Sequence, residues 1–512
     1  MEAAEALGRN GLSTYLEAIR EAARARSRAF WVVAGLTALA AALRFATLGV
    51  QSYHHDEIVT ASRVLRDGFW HAMNAVGFSE STPPLYYALA WAWTQLTGTG
   101  EFGLRSLSAL AGVATVPVAF LVGAELRSRR TGLVAAALVA VNPMLVWYSQ
   151  EARGYSLFVL LASISLLYFL RALDRGRRGD FVGWGLASAL ALATHYFAVF
   201  PIVAEGLWLL RRRGRDAIPG LGIVLGVGAL LAPLAIHQMS LGHAEWIGNR
   251  TLGHRLWGSA VTFAVGETGD IIARPEHVLP AALPLLAILT SLILLVTRGQ
   301  RRERRAAGRV LAIGAAAVGM PLGLAMLDPG RDYVLARNLV PALVPLLVAV
   351  AVAGTLDRAP RRGAVLVSVL AAYSLGFCVW AGFSPGLQRP DWRAVAAKLG
   401  EPTAPRAMVS WTLGEASLRY YLSTGSFQVQ PSDGFDWLVH EVDFVSEGPA
   451  PPVPERLLGP RFHQVAYQRA GSLYVRRYAL PGTDLAHLRL RTVRGADLGF
   501  RSNGVLLDGI GP

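Results

Sequence analysis

A long apolar run leads directly into two histidines and two carboxylates in AFWVVAGLTALAAALRFATLGVQSYHHDE, residues 29–57. The apolar part, 29–50, is long enough to span a bilayer core of about 30 Å at 1.5 Å per residue. His54, His55, Asp56 and Glu57 follow it. Ionised carboxylates are costly to desolvate at a membrane boundary, so such a cluster usually marks a functional site. The stretch therefore predicts a membrane helix that opens onto a site.

The composition indicates a protein that crosses the membrane many times. Of its 512 residues, 53% are hydrophobic and 16% charged, and the mean hydropathy is +0.38. The net charge of +14 comes from short arginine clusters between apolar runs. That pattern is typical of membrane orientation, and it argues against a nucleic-acid partner, which needs one basic patch. A single cysteine, Cys378, excludes a disulfide within the chain.

The arginine clusters predict the orientation of the chain. Residues 1–28 are amphipathic and carry arginines, and we interpret them as a cytoplasmic segment rather than a cleaved signal. Because basic clusters favour the cytoplasmic side, the first helix runs outward and places Asp56 on the outer face. The clusters that set this orientation lie at 127–130, 171–178, 211–215, 298–309 and 358–362.

Each basic cluster must return the chain to the cytoplasmic side, and this requirement divides the chain into about eleven membrane helices. The run 83–96 is too short to cross, so we place it as a juxtamembrane or re-entrant helix inside an outer loop, 51–101. The run 181–210 lies between two basic clusters and must go out and back, with its turn near His195. Further helices are predicted at 102–126, 131–148, 155–173, 218–238, 279–297, 309–327, 338–356 and 363–383.

The composition becomes polar and proline-punctuated from about residue 384. Local patterns predict helices at 391–399 and 415–422 and strands at 407–411 and within 462–478. The fold class is thus a polytopic α-helical membrane protein, with a transmembrane domain over 29–383. A small extracytoplasmic α/β domain is expected over 384–512.

Several polar motifs fall on the predicted outer face. They are the cluster at 54–57, EST-PP-LYY at 80–87, WYSQEARGY at 147–155, RDY at 331–333 and Arg337. Because the connecting loops are short, they must converge near one membrane surface. A carboxylate there can accept a proton from an acceptor hydroxyl while arginines hold a departing phosphate.

The order of these motifs resembles the GT-C glycosyltransferases. A helix, Asp56-Glu57, Pro-Pro-Leu-Tyr-Tyr, the EFGLRSLSA motif at 101–109 and the WYSQEARGY motif follow one another over about residues 30–210. Within that superfamily the chain is most similar to the protein O-mannosyltransferase and lipid A aminoarabinose transferase group, glycosyltransferase family 39-like. The resemblance implies inverting sugar transfer from a polyprenyl-phosphate donor to an acceptor on lipid, glycan or protein.

The resemblance also implies roles for individual residues. Asp56 would be the catalytic base, with Glu57 beside it and Glu151 in the same cavity. The implied substrate-binding residues are Arg105, which would orient the first loop, Arg153, Arg331 and Arg337, with His195 and Tyr86 as further candidates.

Metal binding is left open by the motifs. Some relatives bind a divalent metal, for which Asp56, Glu151 and His195 are candidate ligands, and no nucleotide or organic cofactor is expected. Thr82 stands immediately before Pro83-Pro84, with Glu80 two residues further back. This departs from the acidic residue that aminoarabinose transferases carry before the proline pair.

Simpler interpretations stand beside these. His195 could be a packed histidine, Tyr86 part of an interfacial aromatic belt, and Arg337 a side chain that reaches for lipid headgroups. A transporter or lipid-linked glycan flippase is the alternative function, and a non-catalytic assembly protein is a third. A transporter would place charges near the bilayer midplane, whereas these polar residues gather at one face. We therefore favour an enzyme of the plasma (inner) membrane with an extracytoplasmic site.

Overall fold

A computed structural model describes residues 27–65, 68–242, 247–248, 250–267, 278–328, 333–411, 414–422, 427–428, 436–449, 453, 455–489 and 503–508. Over these residues the chain forms a bundle of apolar helices followed by a unit of strands and short helices. The polytopic helical class with a small C-terminal α/β unit is thus confirmed. Arg331 and most of the segment 1–28 lie outside the described residues.

Seven helical segments among the described residues are long and apolar enough to cross a membrane, or eight if one bent pair counts as a span. The eleven predicted crossings therefore remain a prediction. The qualifying segments are α1 (Ser27–Phe45), α5 (Glu101–Leu126), α8 (Tyr155–Arg175), α10 and α11 together (Tyr196–Ser240), α13 (Val278–Arg298, qualifying from Pro280), α14 (Arg301–Leu327) and α16 (Pro360–Phe383).

Two helix breaks shape the end of the bundle that carries the polar motifs. The predicted single helix at 131–148 is wrong: α6 (Arg129–Val141) and α7 (Pro143–Ser149) bend by 57°. Asn142 lies between them, and its side chain accepts from Leu145 N, capping α7 ahead of Pro143. The predicted turn within 181–210 is confirmed, because α9 (Arg178–Thr194) and α10 (Val199–Arg213) meet at a short 3₁₀ turn, Tyr196–Ala198.

The described part of the segment between α1 and α5 contains only short helices. They are α2 (His55–Ile58), a π-helical stretch (Val59–Val64), α3 (Phe69–Ser79) and α4 (Leu85–Thr97). The predicted short helix at 83–96 corresponds to α4, which begins after Pro84. The chain then enters α5, and the pair of Glu57 and Arg105 holds α2 beside the end of α1 and the start of α5.

Helix α15 (Leu343–Gly354) packs against α5, α6, α13, α14 and α16, and all of its residues except Leu346 are buried. A 3₁₀ turn, Val340–Ala342, precedes α15. Helices α11 (Ile218–Ser240) and α12 (Leu252–Val265) complete the described bundle. Large apolar side chains such as Leu230 (81% exposed) project from α11, as expected of a helix that faces lipid.

The C-terminal unit is built on a six-stranded sheet in the order β2-β8-β1-β4-β6-β5. Strands β1 and β4 are parallel, and the other pairs are antiparallel. The sheet has apolar side chains on both faces, because Ala407 and Val409 join one hydrophobic cluster and Met408 joins another. Its elements are α17 (Trp392–Leu399), β1 (Arg406–Trp411), α18 (Gly414–Tyr421), β2 (Phe427–Gln428), β3 (Asp436–Val439), β4 (Glu441–Glu447), α19 (Glu455–Leu458), β5 (His463–Ala470), β6 (Leu473–Ala479), β7 (Ala486–Arg489) and β8 (Asn503–Asp508).

Candidate active site

Asp56 is held between a histidine and an arginine at the start of the segment that links α1 to α5. Its Oδ1 lies 3.0 Å from His55 Nε2, and its Oδ2 accepts from Arg337 Nη1 at 3.2 Å. About a quarter of its side chain is exposed (24%). Burial opposes ionisation, but His55, Arg337 and Arg153 outweigh it and hold the pKa of Asp56 well below its usual range. Asp56 is therefore an ionised carboxylate that a substrate hydroxyl can reach.

Glu57 points the opposite way, into the protein, and forms a bidentate pair with Arg105. Arg105 donates to both carboxylate oxygens at 2.7 Å. The backbone N–H groups of Ala152 and His54 also donate to them, at 2.8 and 2.9 Å. Burial raises the pKa of Glu57, but Arg105 and the Ala152 N–H lower it more, to about 2. Because four hydrogen bonds already engage its oxygens, Glu57 anchors the loop beside Asp56.

Arg105 fixes the backbone on the other side of the same loop. Its remaining donors reach the carbonyl oxygens of Leu48, Gln51 and Ser52 at 3.0, 2.7 and 2.9 Å. Arg105 thus closes the turn between α1 and α2, and the role that the resemblance implies for it, orienting the first loop toward a substrate, stays a prediction. Its side chain is 1% exposed, so it does not contact a ligand directly.

A second charged group comes from the loop between α3 and α4. Glu80 Oε2 lies 2.7 Å from Arg153 Nη1 and accepts from Tyr87 Oη at 2.7 Å. Arg153 also donates to Thr60 Oγ1 at 3.2 Å. Burial raises the pKa of Glu80, Arg153 and Tyr87 oppose that effect, and the charge of Asp56 adds to it. Glu80 Oε1 is buried without a hydrogen-bond partner among the described residues.

Glu151 is paired with an arginine that sequence reasoning missed. Arg389 Nη2 donates to Glu151 Oε2 at 2.8 Å, and the guanidinium lies 4.3 Å from the ring centroid of Trp147. Arg389 follows the last membrane helix in the Arg-Pro-Asp-Trp segment, 389–392. The one sequence feature that could have identified Arg389 was its place on the predicted outer face, where the positive-inside bias makes arginine uncommon. Burial raises the pKa of Glu151 to about 7, although Arg389 opposes the rise.

The raised pKa of Glu151 predicts how stability depends on pH. Because the folded protein binds this proton more tightly than the unfolded chain, the contribution of Glu151 is full at low pH and is lost as pH rises through about 7. The melting temperature in detergent is expected to fall from about pH 5 to about pH 8 more steeply for the wild type than for Glu151→Gln. Parallel curves for the two proteins would contradict the assignment.

The loop that carries Glu151 is fixed by Arg44, a buried arginine of α1. Arg44 donates to Ser149 Oγ at 3.1 Å and to the carbonyl oxygen of Ala140 at 2.9 Å, at the broken end of α6. Gln150 returns to α1 by donating to the carbonyl oxygen of Arg44 at 3.1 Å. Gly112 permits this contact, because a Cβ there would lie 2.0 Å from Ser149 Oγ. Arg44 is thus fully buried rather than reaching for headgroups.

The remaining predicted residues differ in position. His195 is buried, with its ring stacked on Phe158 at 4.8 Å between centroids and its Nδ1 accepting from Phe197 N. Tyr86 is buried, and its hydroxyl pairs with Ser108 at 3.3 Å, so it faces the protein interior. The structure therefore brings Arg153 and Arg337 close to the carboxylate of Asp56. It leaves His195 and Tyr86 in packed positions.

A candidate metal centre exists, and it shares only Asp56 with the predicted ligands. The ligand atoms of His54, His55 and Asp56 lie within 4.8 Å of one another, and this is the one such group in the described part of the chain. Glu151 and His195 do not belong to it. Two imidazoles and a carboxylate suit zinc or a similar transition metal, and buried His55 Nδ1 has no hydrogen-bond partner among the described residues. The donor set therefore fits a metal ion.

Comparison with known proteins gives one family match and several similar folds. Residues 81–237 match the family model described as dolichyl-phosphate-mannose-protein mannosyltransferase. No curated protein sequence matches the chain significantly. ArnT from Cupriavidus metallidurans, solved bound to undecaprenyl phosphate, has a TM-score of 0.50 at 16% identity, covering 87% of this chain and 98% of that one.

Two further solved structures are more distant. The Archaeoglobus fulgidus oligosaccharyltransferase AglB, in complex with an inhibitory peptide and a dolichol-phosphate, has a TM-score of 0.44 at 13% identity, covering 78% and 60% of the two chains. The S. cerevisiae protein O-mannosyltransferase complex bound to its sugar donor has a TM-score of 0.34 at 22% identity, covering 42% and 34%. The chain therefore has the fold of the GT-C glycosyltransferases, and its residues 81–237 match the dolichyl-phosphate-mannose-protein mannosyltransferase family.

Proposed function

We propose that the protein is a membrane glycosyltransferase that moves a sugar from a polyprenyl-phosphate-linked donor to an acceptor hydroxyl, with inversion at the anomeric carbon. The observation that carries the proposal is the pair of Asp56 and Arg337, an ionised, partly exposed carboxylate 3.2 Å from a guanidinium. In this pair, a group that can accept a proton lies next to a group that can bind phosphate. ArnT, which shares the fold, was solved with undecaprenyl phosphate.

The proposed reaction is a single displacement. The acceptor oxygen attacks the anomeric carbon, its proton passes to an oxygen of Asp56, and the bond between the anomeric carbon and the phosphate oxygen breaks. The polyprenyl phosphate leaves with the electron pair of that bond. Arg337 is placed to stabilise the charge that grows on the phosphate, with Arg153 nearby. Inversion follows because attack and departure occur on opposite faces of the sugar.

The same geometry suggests how Asp56 becomes an effective base. In the structure Arg337 holds the pKa of Asp56 low, which makes the carboxylate a weak proton acceptor. A donor phosphate that binds Arg337 supplies a competing negative charge. That charge offsets the effect of Arg337 on Asp56, raises the pKa of Asp56 and strengthens it as a base. Donor binding and activation of the base are thereby linked through one arginine.

The other two predicted catalytic carboxylates receive different roles in this proposal. Glu57 positions the loop of Asp56, since its oxygens are fully engaged by Arg105, Ala152 and His54. Glu151 joins the site loop to Arg389 and so to the C-terminal unit. Asp56 alone among the three combines ionisation with access from outside.

A divalent metal would be held by His54, His55 and Asp56. When bound there it would supply positive charge beside the Asp56 carboxylate. Asp56 and His55 otherwise contact each other directly, so the chain's own residues can hold the loop in place without it.

Arg337 is expected to determine affinity for the donor phosphate. Arg337→Met should weaken binding of polyprenyl phosphate about 10–100-fold, since a hydrogen bond to a charged group contributes about 1.5–3 kcal/mol. Arg337→Lys should recover part of it, because the charge remains but the bidentate geometry does not. Arg309→Met, which removes a cation paired with Asp174 instead, is the matched control. Equal affinity of Arg337→Met and the wild type for polyprenyl phosphate would refute the role.

The site is proposed to face the outside of the plasma membrane, because the basic clusters favour the opposite side.

The function itself is tested by a donor screen. Purified protein is incubated with labelled polyprenyl-phosphate mannose, arabinose or glucose and a soluble glycoside acceptor, and the product's anomeric configuration is read by NMR. A product of inverted configuration supports the proposal, and one of retained configuration excludes the single displacement.

A further inference from the structure

The C-terminal unit places an aromatic side chain next to the catalytic loop. Trp411, the last residue of β1, meets the ring of His55 edge-on, with centroids 5.7 Å apart and planes at 77°. The other side of His55 contacts Asp56 at 3.0 Å. One imidazole ring therefore separates Trp411 from the proposed base. The indole is partly exposed, so a ligand can reach it.

The surroundings of Asp56 are chemically asymmetric. Arg337 pairs directly with one carboxylate oxygen at 3.2 Å. On the side of the other oxygen lie the rings of His54 and His55, with centroids 3.9 Å apart and planes tilted by 53°, and Trp411 lies beyond them. A lipid-linked phosphate fits the basic side. The aromatic side is left for the second substrate.

We propose that Trp411 is the acceptor platform and that the acceptor is a carbohydrate, whose sugar ring stacks on the indole and directs a hydroxyl toward Asp56. This rests on the proposed function. A sugar ring has an apolar C–H face and a rim of hydroxyls, which match an aromatic face beside a carboxylate. An anionic phospholipid headgroup would instead need fixed cations, and Arg337, the arginine that pairs with Asp56, lies on the donor side.

The position of Trp411 relative to Asp56 is fixed from both sides of the interface. Tyr53 N, three residues before Asp56, donates to Tyr421 Oη at 2.6 Å, and Ser52 Oγ accepts from Trp392 N at 2.9 Å. Trp411 also lies at the carboxyl end of β1, the strand that pairs in parallel with β4. Ligands of open α/β sheets bind outside the carboxyl ends of such strands.

The test compares three candidate acceptors. With the donor found by the screen, initial rates are measured against a hexyl mannoside, a serine-containing peptide and a short-chain phosphatidylglycerol. The glycoside should be the accepted probe. Trp411→Ala should raise its KM at least ~10-fold, the range expected for loss of one apolar contact surface. The KM for the donor, measured as hydrolysis without acceptor, should change much less, and Trp411→Phe should recover most of the loss.

Tyr467→Ala is the matched control, because Tyr467 is an exposed aromatic residue on β5 at the far edge of the same sheet. It should leave both KM values unchanged. An unchanged glycoside KM in Trp411→Ala, or transfer to the peptide or the phospholipid instead of the glycoside, would overturn the acceptor proposal alone. A wild-type protein that consumes no donor would refute the proposed function, and the acceptor proposal with it.

Discussion

Asp56→Asn is expected to abolish sugar transfer while it strengthens binding of polyprenyl phosphate. Asparagine has nearly the same shape but cannot accept the acceptor's proton, and loss of a general base costs typically about 10²–10⁴-fold in rate. The neutral amide also stops competing for Arg337, which in the wild type pairs with Asp56 at 3.2 Å. A damaged fold would lower both rate and affinity, so the opposite signs identify a catalytic effect.

The matched control is Asp174→Asn, which removes a half-exposed carboxylate paired with Arg309 outside the site. Rate and phosphate affinity should both stay at the wild-type values in that variant. Binding is measured by displacement of a fluorescent polyprenyl phosphate, and transfer by release of labelled sugar. If Asp56→Asn lost affinity in parallel with activity, the competition between Asp56 and phosphate for Arg337 would be excluded.

Breaking the pair of Glu57 and Arg105 is expected to cost the most stability of any single change considered. Both side chains are essentially fully buried, so Arg105→Met leaves the Glu57 carboxylate without its charged partner. Removal of one partner of a buried ion pair typically costs about 3–5 kcal/mol. The double variant Glu57→Leu with Arg105→Met should recover part of this loss, since it leaves no buried charge. Recovery should be incomplete, because Arg105 also binds three carbonyl oxygens.

The exposed pair of Arg393 and Glu101 provides the comparison. It has a similar length, 2.6 Å, but the Arg393 side chain is 45% exposed. Arg393→Met should therefore change the free energy of unfolding by only about 0–1 kcal/mol. Unfolding is followed by thermal denaturation in detergent. A loss for Arg105→Met no larger than that for Arg393→Met would show that the buried pair does not anchor the loop.

Much of the fold was predictable because it depends on local patterns. The apolar run before Asp56, the break near His195 and the short helices and strands after residue 384 all follow from hydropathy, length and turn residues. The bend at Asn142 was missed. Its apolar flanks resemble one continuous span, and the bend is stabilised by Arg44, which lies far away in the sequence.

The site was predictable only in part, because its contacts join segments that lie far apart in the sequence. Asp56 and Arg153 stood in recognisable motifs, but their partners come from distant segments. Arg389 reaches Glu151 across 238 positions of sequence, and Arg337 reaches Asp56 across 281. No local sequence pattern indicates such long-range pairs. The roles of Asp56, Arg153, Arg331 and Arg337 toward a substrate stay predictions, and Arg331 lies outside the described residues.

The central claim is that Asp56 activates an acceptor hydroxyl for transfer from a lipid-linked sugar. The most direct measurement is a time course of donor consumption and polyprenyl phosphate release by purified wild-type protein and Asp56→Asn in vesicles, with equal amounts of folded protein. We expect the wild type to consume one of the polyprenyl-phosphate sugars and release polyprenyl phosphate in step with glycoside product, and Asp56→Asn to remain at background. Equal rates for the two proteins would contradict the account.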